Sequence, residues 1–141
     1  MQGSNTLSRS ICNKVLVLDT AAFLAALPLH IYGYKMYTTP SVINEVRDSE
    51  SVTRLEISID IDRIEIVSPS TRSISRAVEI SKRLGLYNLL SKTDIEVIAL
   101  ALELREQGLK PVVLTDDYDI QILLRSIGIE FRSVKTMGIK D

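Results

Sequence analysis

Pro111-Val-Val-Leu-Thr-Asp-Asp-Tyr-Asp-Ile-Gln121 runs from an apolar stretch of strand length straight into two consecutive aspartates and then into helical spacing. A short, continuous run of β-branched and leucine residues suits a strand covered on both faces. The same order stands near the N-terminus. Lys14-Val-Leu-Val-Leu18 reads as a buried strand, Asp19-Thr20 as a helix start, and Ala21-Ala-Phe-Leu-Ala-Ala26 as a short helix. Between them, Met36 to Thr39 reads as a second strand. Thr39-Pro40 opens a helix carrying Val42, Ile43, Glu45 and Val46, with Pro at the first helical position. A helical stretch is expected over Val52 to Ile59, and a strand over Arg63 to Val67, stopped by Ser68-Pro69. Thr71 to Leu84 has helical spacing with Gly85 as its stop. Ser91 to Gln107 is apolar nearly all round in its middle, which predicts a central, buried helix ended by Gly108. Asp117 to Ser126 reads as a helix, Gly128 as a turn, and Ile129 to Val134 as a last strand. Strands alternating with helices predict an α/β fold: a central parallel sheet with helices on both faces. Residues 1–13, polar and rich in Ser and Asn, are expected to form a flexible tail, with one domain over 14–141.

Composition narrows the function classes. The chain has 141 residues, 45% of them hydrophobic, which is enough for one core without staples. Its single cysteine, Cys12, excludes an internal disulfide framework and reads as a small hydrophobe. Cys12 and the one histidine, His30, cannot assemble a zinc site. A net charge of −1 excludes a strongly basic nucleic-acid glue and leaves room for a weak or assisted binder. With five Tyr, two Phe and no Trp, a stacking platform for bases is scarcely on offer. Ala21 to Tyr34, broken by Pro28 and His30, is too short to span a bilayer, and Asp19 interrupts any signal-like run. A cytoplasmic protein with no membrane partner is the expectation.

Open parallel sheets hold their sites beyond the carboxyl ends of the strands. Two strands here end in acid, at Asp19 and at Asp116-Asp117. Aspartate also caps helices, and for one strand that reading is as good as a site. Two strands emptying into carboxylates on the same edge favour a site. Glu45, on the helix opened by Pro40, and Asp94, at the opening turn of the buried helix, can reach that edge. Either Ser91 or Thr93 can cap the latter helix, and Asp94 taken alone could simply complement its dipole. Asp19, Glu45, Asp94, Asp116 and Asp117 together cannot all stay ionised at close range without compensation. Beside these motifs the chain offers only Lys92 and Arg47. A hard divalent cation would neutralise the cluster, and an all-oxygen set suits Mg²⁺ or Mn²⁺. The substrate that such a site implies is a phosphodiester.

Four segments carry a resemblance: Leu18-Asp-Thr20, Thr38-Thr-Pro-Ser-Val-Ile-Asn-Glu-Val46, Leu90-Ser-Lys-Thr-Asp-Ile-Glu-Val-Ile-Ala-Leu-Ala101 and Leu114-Thr-Asp-Asp-Tyr-Asp-Ile-Gln121. In this order they resemble a PIN domain, most closely the Nob-type branch, whose endonucleases mature the 3′ end of small-subunit ribosomal RNA. Ser91 to Ala101, and Thr115 to Gln121 followed by Gly128-Ile-Glu-Phe-Arg132, carry the branch. The resemblance covers nearly the whole chain and implies a three-layer α/β/α fold. It implies Asp19, Glu45, Asp94 and Asp117 as the catalytic, metal-holding acids, with Asp116 an additional metal-side acid at the rim. It implies Thr20 and Thr115 as supports, Mg²⁺ or Mn²⁺ as cofactor, and RNA as substrate, with small-subunit precursor particles as possible partners. Asp119 and Glu96 are assigned to helix polarity. Nob-type proteins usually continue into a zinc ribbon, and no Cys cluster stands in these 141 residues, so the resemblance is to the PIN portion alone.

Two other functions stay open. A PIN-type toxin of a toxin–antitoxin pair usually carries one acid at the second strand end, where this chain has Thr-Asp-Asp-Tyr. A PIN fold that binds a ribosomal precursor without cutting it would need no complete acidic set. A phosphatase-like or receiver domain is set aside, because the middle strand ends in Ser68-Pro69 rather than in an aspartate.

Overall fold

The computed structural model describes residues 13–25, 27, 31–48 and 64–137. The first strand, β1 (Lys14–Leu18), lies in the middle of a five-stranded parallel sheet, flanked by β2 (Met36–Thr38) and β4 (Lys110–Leu114). The sheet order is β3-β2-β1-β4-β5, with β3 (Ile64–Ile66) and β5 (Glu130–Arg132) at the edges. Val15 through Leu18 and Val112 through Leu114 are all buried, so both sheet faces are covered, as their unbroken apolar runs require. This is the α/β/α layering expected. The edge strands are only three residues long and carry Glu65, Glu130 and Arg132, paired with Lys35 at 3.0 Å and Lys14 at 3.6 Å, features that blunt an open edge.

Six helices and a 3-10 turn are described around the sheet. These are α1 (Thr20–Leu24), α2 (Pro40–Arg47), α3 (Thr71–Arg83), α4 (Lys92–Glu106), α5 (Tyr118–Ile127) and the 3-10 turn Tyr87–Leu89 between α3 and α4; a short α6 (Val134–Met137) closes the described chain. α4 is the core helix, with Ile95 and Val97 through Leu102 all buried against α3 and the sheet. Each such side chain contributes about 1.5–3 kcal/mol by leaving water. The buried face of α3 is small, Ser73, Ala77 and Ser81, which lets the two helices approach closely. Both helix stops are as expected: Gly85 and Gly128 adopt φ of 73° and 76°, the left-handed region open to glycine.

Three expectations differ in detail. Asn13, counted with the tail, is tied to the sheet, its carbonyl accepting from the Lys110 amide at 2.8 Å. The last strand stops at Arg132, and Val134 begins a helical turn instead. The 3-10 turn at Tyr87–Leu89 carries no sign that helical periodicity could reveal. The expected helix over Val52 to Ile59, residues 1–12 with Cys12, and His30 lie outside the described residues. Among the described residues no helix is long and apolar enough to cross a membrane.

Candidate active site

The order of the sheet locates the site. From β1 the chain steps outward through β2 to β3, then returns to place β4 on the other side of β1. The connections leaving β1 and β4 therefore diverge, and a crevice opens beyond their carboxyl ends. Asp19 follows β1, and Thr115, Asp116 and Asp117 follow β4.

Each acid is set there by local backbone chemistry. Asp19 is the N-cap of α1 and accepts from the Ala22 amide at 3.0 Å. Asp117 caps α5 by accepting from the Ile120 amide at 3.0 Å. Asp94 is the third residue of a capping box in which Ser91, not Thr93, is the cap. The Ser91 amide donates to Asp94 Oδ2 at 2.9 Å and the Asp94 amide to Ser91 Oγ at 3.1 Å. Glu45 comes from α2 and accepts from the Thr20 hydroxyl at 2.7 Å. Thr115 is fully buried, and its Oγ1 accepts from the Asp117 amide at 3.0 Å while its side chain also hydrogen-bonds Asp19. Gln121 Nε2 donates to the Thr115 carbonyl at 2.9 Å, fixing the turn between strand and helix.

The charges act on one another. Burial pushes the Asp19 carboxyl up from 3.8 to about 6; hydrogen bonds from Thr115 and Ala22 oppose this, and repulsion from Asp116 and Asp94 adds to it. Asp94 is raised too, first by burial, against its bonds with Ser91, and further by Asp117 and Glu45. Asp19, Glu45, Asp94 and Asp117, from four separate elements, thus form one electrostatic cluster.

Asp116 adds its charge beside Asp19 and is also bound elsewhere. Its Oδ1 accepts from Ser133 Oγ at 2.6 Å, from the Val134 amide at 2.7 Å and from the Lys135 amide at 3.3 Å. These bonds outweigh the burial that would raise it and hold its carboxyl below the ordinary range. Sequence grouped Asp116 with the metal-side acids, at the rim; the structure also uses it to start α6. Asp116→Ala is therefore expected to cost about 1 kcal/mol of stability, as a lost cap does, and to change cleavage by less than about tenfold. Thermal melting beside an activity assay checks both.

Sequence reasoning missed one link. Glu96, assigned to helix polarity, accepts from Ser41 Oγ at 2.6 Å and so ties the helix of Glu45 to the helix of Asp94. The two residues lie 55 positions apart, and neither carries a local sign of its partner. Asp119 sits in the first turn of α5, as helix polarity predicts.

The donors are all oxygen, crowded, partly desolvated and without a compensating cation among the hydrogen bonds just described. That chemistry fits a hard divalent ion. Among the described residues no three such side chains already stand close enough to hold one, so the set would tighten on binding.

A family profile described as the PIN domain of ribonuclease matches residues 16–104, which include Asp19, Glu45 and Asp94. The chain belongs to the PIN-domain ribonuclease family. Among PIN relatives it is 40% identical to Ribonuclease VapC3 of Aeropyrum pernix, over 92% of this chain and 92% of that protein. It is 37% identical to Endoribonuclease Nob1 of Pyrococcus abyssi, over 89% of this chain and 71% of that one. The same fold occurs in a PilT N-terminus domain protein of Sulfolobus solfataricus P2, with a TM-score of 0.53 and 14% identity over 90% of this chain and 97% of the other.

Proposed function

We propose that this PIN domain is a divalent-metal-dependent endoribonuclease that hydrolyses phosphodiester bonds in RNA, acting in the cytoplasm on the 3′ region of a small-subunit ribosomal RNA precursor. The observation that carries it is the convergence of Asp19, Glu45, Asp94 and Asp117 from four elements at the β1/β4 switch point. These four carboxylates would hold Mg²⁺ or Mn²⁺. When bound, the cation supplies charge neutralisation and Lewis acidity at the phosphate. The protein's own part is positioning. Thr20 orients Glu45, Thr115 holds the Asp117 turn against Asp19, and the Ser41–Glu96 bond keeps α2 registered on α4. Asp19 is buried and Asp94 half-buried, and partial loss of water strengthens the charge interactions that these two make. The ribosomal target rests on the Nob-type segments Ser91 to Ala101 and Thr115 to Gln121, together with the relationship to archaeal Nob1.

A second reading, the ribonuclease toxin of a toxin–antitoxin pair, is favoured by the match to VapC3 over nearly the full length of both chains. One experiment separates them. The protein is incubated with Mn²⁺, Mg²⁺ or EDTA and two RNAs: a small-subunit 3′-end precursor with its flanking sequence, and an unrelated single strand of equal length. Internal cleavage of the precursor, abolished by EDTA, is the expected result. Equal cleavage of both RNAs would favour the toxin reading. Binding without cleavage in any metal would overturn the enzyme.

A further inference from the structure

A polyanionic substrate approaching an acidic cluster is repelled until cations on the same edge draw it in. Such cations stand where α3 turns into α4. α4 runs down into β4, so its first turn, and the last turn of α3 before it, lie at the carboxyl edge beside Asp94. Lys82, Arg83 and Lys92 are exposed there, and none of them belongs to an ion pair among the described residues. By contrast, Lys14, Lys35, Arg76 and Arg132 each face a glutamate. Lys92 is the first residue of α4, where the helix dipole disfavours a cation, so its position serves something other than the helix. Between these charges the same turn exposes apolar surface: Leu84 at 42%, Tyr87 at 41% and Leu89 at 60%. The ammonium of Lys82 lies 5.0 Å from the centre of the Tyr87 ring.

We infer that this turn is the resting surface for single-stranded RNA beside the site, with an unstacked base on Tyr87 and Leu89 and its flanking phosphates on Lys82, Arg83 and Lys92. The inference rests on the nuclease reading and adds the contacts that deliver the strand. Phosphate neutralisation by free lysines accounts for the cations, and a base face accounts for the exposed ring among them. A duplex keeps its bases stacked inside and has nothing to place on the ring, so the surface selects single strands. One tyrosine in a basic setting thus does what the low aromatic content scarcely promised.

The test reads binding without cleavage. Fluorescence anisotropy in EDTA measures a labelled single-stranded oligouridylate, and a hairpin duplex of the same length, against the whole chain. Tyr87→Ala is expected to weaken single-strand binding by at least about fivefold and Tyr87→Phe to restore it. Duplex binding should not respond to either. Lys82→Ala and Lys92→Ala should each reduce the slope of log affinity against log salt by about 0.7. Circular dichroism verifies folding; if Tyr87→Ala unfolds, the exposed Lys92→Ala carries the test. Wild-type affinity and slope in the folded variants would overturn the inference and leave cleavage by the wild type untouched. A wild type that binds through this turn but cuts nothing would overturn the nuclease reading alone.

Discussion

Asp94→Asn and Asp19→Asn are each expected to lower Mn²⁺-dependent RNA cleavage by about a thousandfold, the scale of losing several kcal/mol of charge stabilisation, while the far-ultraviolet circular dichroism spectrum stays that of the wild type. The substitution is chosen to separate charge from architecture. Both aspartates accept a backbone bond at a helix start, Asp19 as the cap from Ala22 and Asp94 within the capping box from Ser91, and an asparagine oxygen accepts the same bond. What asparagine removes is the negative charge. Alanine would remove the cap as well and cost about 1 kcal/mol besides, so it cannot give a clean reading. Asp119→Asn is the internal control, because Asp119 sits in the first turn of α5 with no place in the cluster, and it should cost little activity. Loss of the dichroism signal together with activity in Asp19→Asn or Asp94→Asn would mean that these residues act through the fold.

Without metal, the protein is expected to become more stable as the pH falls from 7 towards about 5. Asp19 titrates near 3.8 when unfolded and near 6 when folded. Its contribution is complete below the unfolded value and is lost as pH rises through the folded one, a difference of about 3 kcal/mol by neutral pH. Asp94 acts in the same direction through burial and the repulsion of Asp117 and Glu45. The acid limit comes from carboxyls held low. In Glu103 and Asp116, bonds from serine hydroxyls and backbone amides outweigh burial, and Glu130 is held under Arg132. Their stabilisation is lost only as pH falls below the ordinary carboxylate range. Mn²⁺ at pH 7 should raise the melting temperature, by about 2.7 kcal/mol of stabilisation at about a hundred times its dissociation constant. Asp19→Asn should melt higher than wild type in EDTA and respond less to Mn²⁺. If millimolar metal leaves the wild-type curve in place and the variant melts no higher, the carboxylates do not form a cation site.

What sequence made legible was whatever depends on near neighbours. The strand-to-acid junctions at Leu18-Asp19 and Leu114-Thr115, the Thr39-Pro40 start of α2 and the buried middle of α4 are local patterns, and each reappears within a residue or two. The choice between Ser91 and Thr93 as cap was open in the sequence, because both place an acid three residues on; burial settled it, with Thr93 turned inward and Ser91 exposed. The use of Asp116 was not legible, since its partners lie 17 to 19 residues away across a strand whose end sequence alone set too late. The Ser41–Glu96 bond was hidden for the same reason. A serine in the first turn of one helix and a glutamate in the second turn of another look like ordinary solvated residues until packing brings the helices together.

The role of these acids at helix starts has a consequence for how the protein would meet a cation. Asp19, Asp94 and Asp117 each have one oxygen held by a backbone amide at a helix start. Their rotamers are therefore chosen when the chain folds, and the entropy of restraining them belongs to folding rather than to ligand capture. Glu45 differs: it is exposed, with three rotatable bonds, and is steered by the single hydroxyl of Thr20. A cation drawn in by these acids would thus meet three restrained carboxylates and one adjustable one, and most of the side-chain adjustment that tightens the set would fall to Glu45.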